Sequence, residues 1–214
     1  MRGLRGPSGC GLRKLARVPL VDRAQSILVI VDAQPNFIAQ NTMSSDEQAA
    51  AQAASERLVW IAGIATFLNV PIVVVEEGPE RAGKTIPELL KRLPTDTAVH
   101  IRRTFSVCAE PTVVDAIRAL RRSTVVVVGF ETDTCVAQSA IELQDLGLRV
   151  VALQDAMYSA GALEHERGLR RMRDAGVEIN DCKGITFEWA RVVDAALELL
   201  RASHAKYGPA PIRL

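Results

Sequence analysis

Cys135 follows an apolar run through a short polar turn, Val125-Val126-Val127-Val128-Gly129-Phe130-Glu131-Thr132-Asp133-Thr134-Cys135-Val136. Consecutive β-branched residues suit a central parallel strand covered on both faces. Asp133 or Thr132 can then cap a helix that carries Ala137, Ile141 and Leu143 onward to Gly147, a natural C-terminal stop. A thiol in the first turn of such a helix faces unpaired backbone N–H groups and the positive end of the helix dipole. Its pKa is therefore expected below the free value of about 8.5, which would make it a nucleophile. The alternative is a small buried hydrophobe. Placement at the carboxyl end of a strand, where open α/β sheets hold their ligands, favours the nucleophile.

Other polar residues fall at comparable positions. Asp32 closes the apolar segment 26–32, Glu76 follows 71–75, Arg102 closes 98–102, and Asp155 follows 149–153. A parallel sheet brings these strand ends to one edge, so two or three acids, a cation and a thiol are expected to gather there. Each has a local alternative: Asp32 and Asp155 can cap turns, and Arg102 can pair with Glu76.

The intervening segments supply the elements that hold this edge. Residues 47–68 show helical spacing of Leu58, Ile61, Ala62, Ala65 and Leu68, with Ser45 or Asp46 as cap. Residues 76–79 read as a plain loop. Further helices are expected over 86–93, 111–120, 164–175 and 187–201, with a short strand at 177–179. Strands alternating with helices specify an α/β fold: a three-layer α/β/α domain with a mostly parallel central sheet. Asp32 stands where a dinucleotide-binding glycine loop would begin, and there is neither a Walker A loop nor a Gly-x-Ser-x-Gly elbow.

The chain of 214 residues is 48% hydrophobic and carries 26 basic against 25 acidic residues, a net charge of +1. That balance gives no electrostatic case for nucleic acid or an anionic membrane surface, and no apolar run reaches the ~18 residues that span a bilayer. Cys10, Cys108, Cys135 and Cys182 lie far apart, as do His100, His165 and His204. The pattern argues against a disulfide framework or a metal cluster and suits a reducing, cytoplasmic compartment. No cofactor and no metal are expected. Residues 1–25 are rich in arginine and poor in acids, and read as a loosely ordered extension, with organelle targeting as the alternative. The domain itself is expected over 26–203, with 204–214 as a tail.

The segments Val31-Asp32-Ala33-Gln34-Pro35-Asn36-Phe37, Gly129-Phe130-Glu131-Thr132-Asp133-Thr134-Cys135-Val136 and Leu153-Gln154-Asp155-Ala156 together resemble the isochorismatase-like cysteine hydrolases, which include nicotinamidases and N-carbamoylsarcosine amidases. The likeness runs from about Ser26 to Arg201. Residues 76–89 and Arg103-Thr104-Phe105-Ser106 are similar to the subgroup without the nicotinamidase metal site. One departure stands out: the family's usual lysine, four residues before the position of Ser106, is Arg102 here. Arginine keeps the positive charge and gives up the ability to release a proton.

The resemblance implies a catalytic triad of Asp32 as general base, Arg102 as cation and Cys135 as nucleophile. It further implies an oxyanion hole from the backbone N–H groups of Glu131 and Cys135, with a cis peptide at 130–131. The activity implied is hydrolysis of a small amide or carbamoyl C–N bond through a thioester. Gln34, Phe37, Glu76, Phe105, Phe130 and Tyr158 are the candidate substrate-binding residues, of which Phe37, Phe105 and Tyr158 would wall an apolar pocket. Carboxylates of Glu76, Glu77 and Glu131 would favour a cationic or hydrogen-bond-donating small molecule. A homo-oligomer, from dimer to octamer, is also implied. Three other functions fit the residues: an isochorismatase-type vinyl-ether hydrolase that needs no thiol, a non-catalytic oligomeric relative, and a redox-sensing thiol partnered by Cys108.

Overall fold

The computed structural model describes residues 19–213, so most of the basic extension expected over 1–25 lies outside the described residues. Of its remainder, Val21 is buried, its N–H bonds to Glu188, and the carbonyls of Pro19 and Leu20 accept from Arg149.

Six parallel strands form the sheet: β1 (Ser26–Val31), β2 (Ile72–Glu77), β3 (Val99–Arg102), β4 (Thr124–Phe130), β5 (Arg149–Tyr158) and β6 (Glu178–Asn180). Their order is β3-β2-β1-β4-β5-β6. The order reverses between β1 and β4, which are paired from Ser26↔Thr124 to Val31↔Gly129. Such a switch point opens a crevice beyond the carboxyl ends of the two strands, where ligands bind in open α/β sheets. Asp32 follows one of these strands directly, and the Cys135 turn follows the other.

The helices are α1 (Pro35–Ile38), α2 (Ser45–Phe67), α3 (Pro79–Ala82), α4 (Pro87–Leu90), α5 (Pro111–Ala119), α6 (Ala137–Asp145), α7 (Ala162–Asp174), α8 (Cys182–Ala190) and α9 (Val193–Tyr207). One core packs Leu28, Ile30, Val74, Val126 and Val128 against α2, α8 and α9 through Leu58, Ile61, Trp189 and Leu199. The other packs Ile27, Val29, Val31, Val73 and Val127 against α5, α6 and α7 through Ile117, Leu143 and Met172. Alternation along each strand assigns its side chains to the two faces. The two central strands, β1 and β4, are therefore buried along their whole length and almost wholly apolar, as the valine runs predict.

Several expectations are corrected. Ser44, not Ser45 or Asp46, caps α2, through a capping box with Glu47. Of residues 76–79, expected as plain loop, Glu76 and Glu77 belong to β2 and Pro79 opens a helical turn, α3. The helix expected over 187–201 is two helices, α8 and α9, separated at Arg191, whose φ is 65°. The boundary expected at 203/204 falls inside α9. Strand β5 is twice the length expected and carries a bulge: Val127 pairs with Ala152, yet Gly129 pairs with Met157. Leu153–Ala156 occupy that bulge, so Asp155 is mid-strand and not at a strand end. Among the described residues no helix is long and apolar enough to cross a membrane.

Candidate active site

Each of the three central side chains arrives from its own strand end. Arg102 ends β3; Val99 packs on the α2 side of the sheet, so alternation places Arg102 on the opposite face, with Cys135. Cys135 lies in the single π-helical turn Thr132–Val136 that feeds α6. Neither Asp133 nor Thr132 caps that turn, contrary to expectation: Asp133 exchanges bonds with Ser159, and Thr132 Oγ1 lies 2.9 Å from His165 Nδ1. A wide π turn presents backbone and side chain differently from a regular N-terminus and recurs at functional sites. The Phe130–Glu131 peptide just before it is cis. Gly129 can only be glycine here, because its φ is +136° and a Cβ would lie 1.9 Å from the Val31 carbonyl oxygen.

The structure brings Asp32, Arg102 and Cys135 together. Arg102 Nη2 donates to Asp32 Oδ2, and both side chains are wholly buried. The Cys135 thiol, 4% exposed, lies close enough to both groups to feel their charges. Asp32 Oδ1 and Arg102 Nε and Nη1 are buried without a partner in the chain. A buried polar atom left unpaired costs about 1–3 kcal/mol, so these atoms favour an incoming polar group.

Burial pushes the Asp32 carboxyl from its ordinary 3.8 up to about 7, against the opposing pull of the Arg102 charge. The Cys135 thiol is pushed up to about 12, first by burial and then by the Asp32 charge, with Arg102 again opposing. The sequence-based expectation of a lowered thiol pKa is thus reversed. The helix dipole that motivated it is worth about 0.3–1 kcal/mol, less than desolvation of a buried thiolate beside a carboxylate. The resting pair is a thiol next to a group that titrates near neutrality.

Of the six residues expected to line a substrate pocket, two are committed elsewhere. Gln34 Nε2 donates to the carbonyls of Glu77 and Gly83, and its Oε1 accepts from the Glu77 N–H at 2.7 Å, which leaves little of the amide for a substrate. Glu76 shares the α2 face with Val74 and accepts from the N–H and hydroxyl of Thr85 at 2.9 and 2.8 Å. It faces away from Cys135 and does not pair with Arg102. Phe105 is 62% exposed, whereas Phe130 is fully buried; Phe37 and Tyr158 pack with Phe130 on the α2 side, so the expected aromatic wall is not formed by Phe37, Phe105 and Tyr158 together. Glu77 pairs with Arg81, and Asp155 joins Arg57 to the backbone of Cys182.

Three residues near the site were not read from sequence. Gln40 Nε2 donates to Glu131 Oε1 at 2.6 Å, His165 buttresses Thr132, and Ser159 holds Asp133. Gly168 gave the available signal: within α7 it lets the helix approach the Cys135 turn, since a Cβ would lie 2.7 Å from the backbone of Asp133. The cavity of about 620 Å³ between α1, α2, α4 and the C-terminal segment includes none of Asp32, Arg102 and Cys135 in its lining. Among the described residues no cluster of His, Cys, Asp and Glu could hold a metal ion.

A parallel α/β domain with a thiol, a carboxylate and a cation at its switch point defines a class that comparison with known proteins makes specific. Residues 26–183 match the isochorismatase domain. The chain belongs to the isochorismatase family. It is 32% identical over 126 residues to isochorismatase domain-containing protein 2 of Bos taurus and 32% identical over 133 residues to the secreted isochorismatase effector Isc1 of Phytophthora sojae, covering 58% and 59% of this chain. The match spans 59% and 61% of the length of those relatives. Among solved structures, the YcaC gene product of Escherichia coli, an octameric hydrolase of unknown specificity, superposes with a TM-score of 0.78 at 18% identity, covering 89% of this chain and 92% of that one. The MAR1 ribonuclease of Caenorhabditis elegans gives 0.75 at 23% identity, covering 92% and 98%. Nicotinamidase PncA of Bacillus subtilis gives 0.62 at 15% identity, covering 73% and 99%. These three likenesses are of fold.

Proposed function

We propose that this protein is a cysteine-dependent hydrolase of a small amide or carbamoyl C–N bond. The observation that carries the reading is the buried meeting of Asp32, Arg102 and Cys135 at the switch point. A thiol with a high pKa needs a base at the moment of attack, and a carboxyl that titrates near 7 is suited to take that proton and return it. Asp32 removes the thiol proton as Cys135 Sγ bonds to the carbonyl carbon. The oxyanion so formed is held by the backbone N–H groups of Glu131 and Cys135, and loss of one such donor would cost roughly 100- to 1,000-fold in turnover. Protonated Asp32 then gives its proton to the leaving nitrogen as the C–N bond breaks, leaving a thioester. Asp32 next draws a proton from water, whose oxygen attacks the thioester; the acid leaves and the thiol is restored. Arg102 holds its charge throughout, which limits the proton traffic to Asp32. The substrate is a small molecule, the working form a homo-oligomer, and the compartment the cytoplasm.

One observation favours a second reading. An Asp32 half-protonated near neutrality could protonate a vinyl ether directly, as an isochorismatase-type reaction requires, leaving Cys135 idle. Assay of wild type and Cys135→Ala against small primary amides, N-carbamoyl amines and isochorismate separates the two. Loss of amide or carbamoyl hydrolysis in the variant supports the thioester route, and retained turnover of isochorismate supports the vinyl-ether route.

A further inference from the structure

Asp32 reaches Cys135 by a detour of the backbone. Along β1, Ile27, Val29 and Val31 share the face that carries Cys135, while Leu28 and Ile30 share the α2 face. Strict alternation would send the side chain of residue 32 to the α2 face, away from the thiol. Its φ is instead +51°, a left-handed conformation sparsely populated by residues other than glycine. The N–H of Asp32 still bonds to Val75 in the ladder at 2.9 Å, and its carbonyl accepts from the Gln34 N–H at 2.7 Å, so the change of direction is confined to this turn.

What fixes the turn is the side chain two residues on. Gln34 is fully buried, and its amide spends three bonds on backbone groups of Glu77 and Gly83. Those bonds tie the Asp32 turn to the end of β2 and to the strap that follows it. The strap has its own staple in Glu76–Thr85, which does not touch Gln34. Gly83 crowds the same turn, since a Cβ there would lie 2.7 Å from Pro35.

We infer that Gln34 is a positioning residue: it holds Asp32 in the left-handed turn that swings the carboxylate from the α2 face of the sheet to the Cys135 face. The inference rests on the reading of Asp32 as the base for Cys135. Asparagine is too short to span the same carbonyls, and glutamate keeps the bond from the Glu77 N–H while losing both donated bonds.

The test is the pH dependence of iodoacetamide alkylation at Cys135, followed by peptide mass mapping so that the other cysteines are counted separately, with thermal melting in parallel. Asp32→Asn is expected to remove the inflection near neutrality from the Cys135 rate, because no carboxylate then titrates beside the thiol. Gln34→Ala is expected to move that inflection by half a pH unit or more. Thr85→Val, which weakens the same strap without touching Gln34, should lower the melting temperature and leave the profile in place. Should Gln34→Ala not fold, Gln34→Glu is expected to shift the profile in the same direction. A wild-type profile in the Gln34 variants, or an equal shift in Thr85→Val, overturns the positioning role. No effect of Asp32→Asn would instead overturn the base assignment on which it rests.

Discussion

The Arg102 guanidinium and the Asp32 carboxylate are ion-paired with neither side chain reaching solvent, and the Cys135 thiol adjoins both. In most surface pairs such a contact contributes little. Here each charge would be stranded without the other, and removal of one partner of a buried pair typically costs about 3–5 kcal/mol. Arg102→Met should therefore destabilise the fold by a few kcal/mol in urea titration. It should also raise the Asp32 pKa further, since Arg102 is the main influence opposing burial there. Any residual activity would then begin at a higher pH than in wild type.

Arg102→Lys restores the cation and changes one property. An ammonium can lose its proton when buried, whereas a guanidinium does not at workable pH. Wild-type kcat/KM is expected to rise through about pH 7 as Asp32 ionises and then stay level toward alkaline pH. The lysine variant is expected to show an added alkaline fall. An alkaline fall of the same position in wild type would contradict the fixed-charge role of Arg102.

Asp32 also predicts how stability varies with pH. Its carboxyl is raised from 3.8 unfolded to about 7 folded, so the folded state holds the proton more tightly. The associated stability is fully present below pH 4 and is lost as pH rises through 7, amounting to about 4 kcal/mol over that window. Asp32→Asn should flatten the difference, as measured by denaturant midpoints at pH 4.5 and 7.5 relative to wild type. A steeper fall in the variant would reverse the sign proposed.

Gly168→Ala probes the wall behind the thiol. The added methyl would lie 2.7 Å from the Asp133 backbone nitrogen and 2.8 Å from the Thr132 carbonyl carbon, atoms that cannot rotate aside. Overpacking of this kind costs about 1–3 kcal/mol. Because the strain falls on the Cys135 turn, activity is expected to drop by tenfold or more at temperatures where the variant remains folded.

The layers were legible because each buried strand announces itself: Val125–Val128 and the segment 26–31 leave no alternative to a doubly covered parallel sheet, whereas the strand order came from the structure. Asp32, Arg102 and Cys135 were legible as strand-end residues, and the family motifs named them. Their electrostatics were not. A helix N-terminus can be read from sequence, but the burial that drives the thiol to about 12 cannot, because it depends on how distant segments pack around the turn. Gln34 was assigned to substrate on the strength of its motif, although its amide is bonded to the backbone of Glu77 and Gly83. The β5 bulge was invisible since Leu153-Gln154-Asp155-Ala156 looks like a strand end, and the pairing of Gly129 with Met157 is a long-range fact. The break between α8 and α9 lies at Arg191, where neither glycine nor proline marks it.

Intact-mass and peptide-mapping analysis of the enzyme quenched in acid during turnover of a slowly hydrolysed small amide addresses the central claim most directly. A covalent acyl group on Cys135, formed by wild type and absent from Asp32→Asn, is the predicted result. Steady turnover with no adduct on Cys135, matched by undiminished turnover in Cys135→Ala, would contradict it.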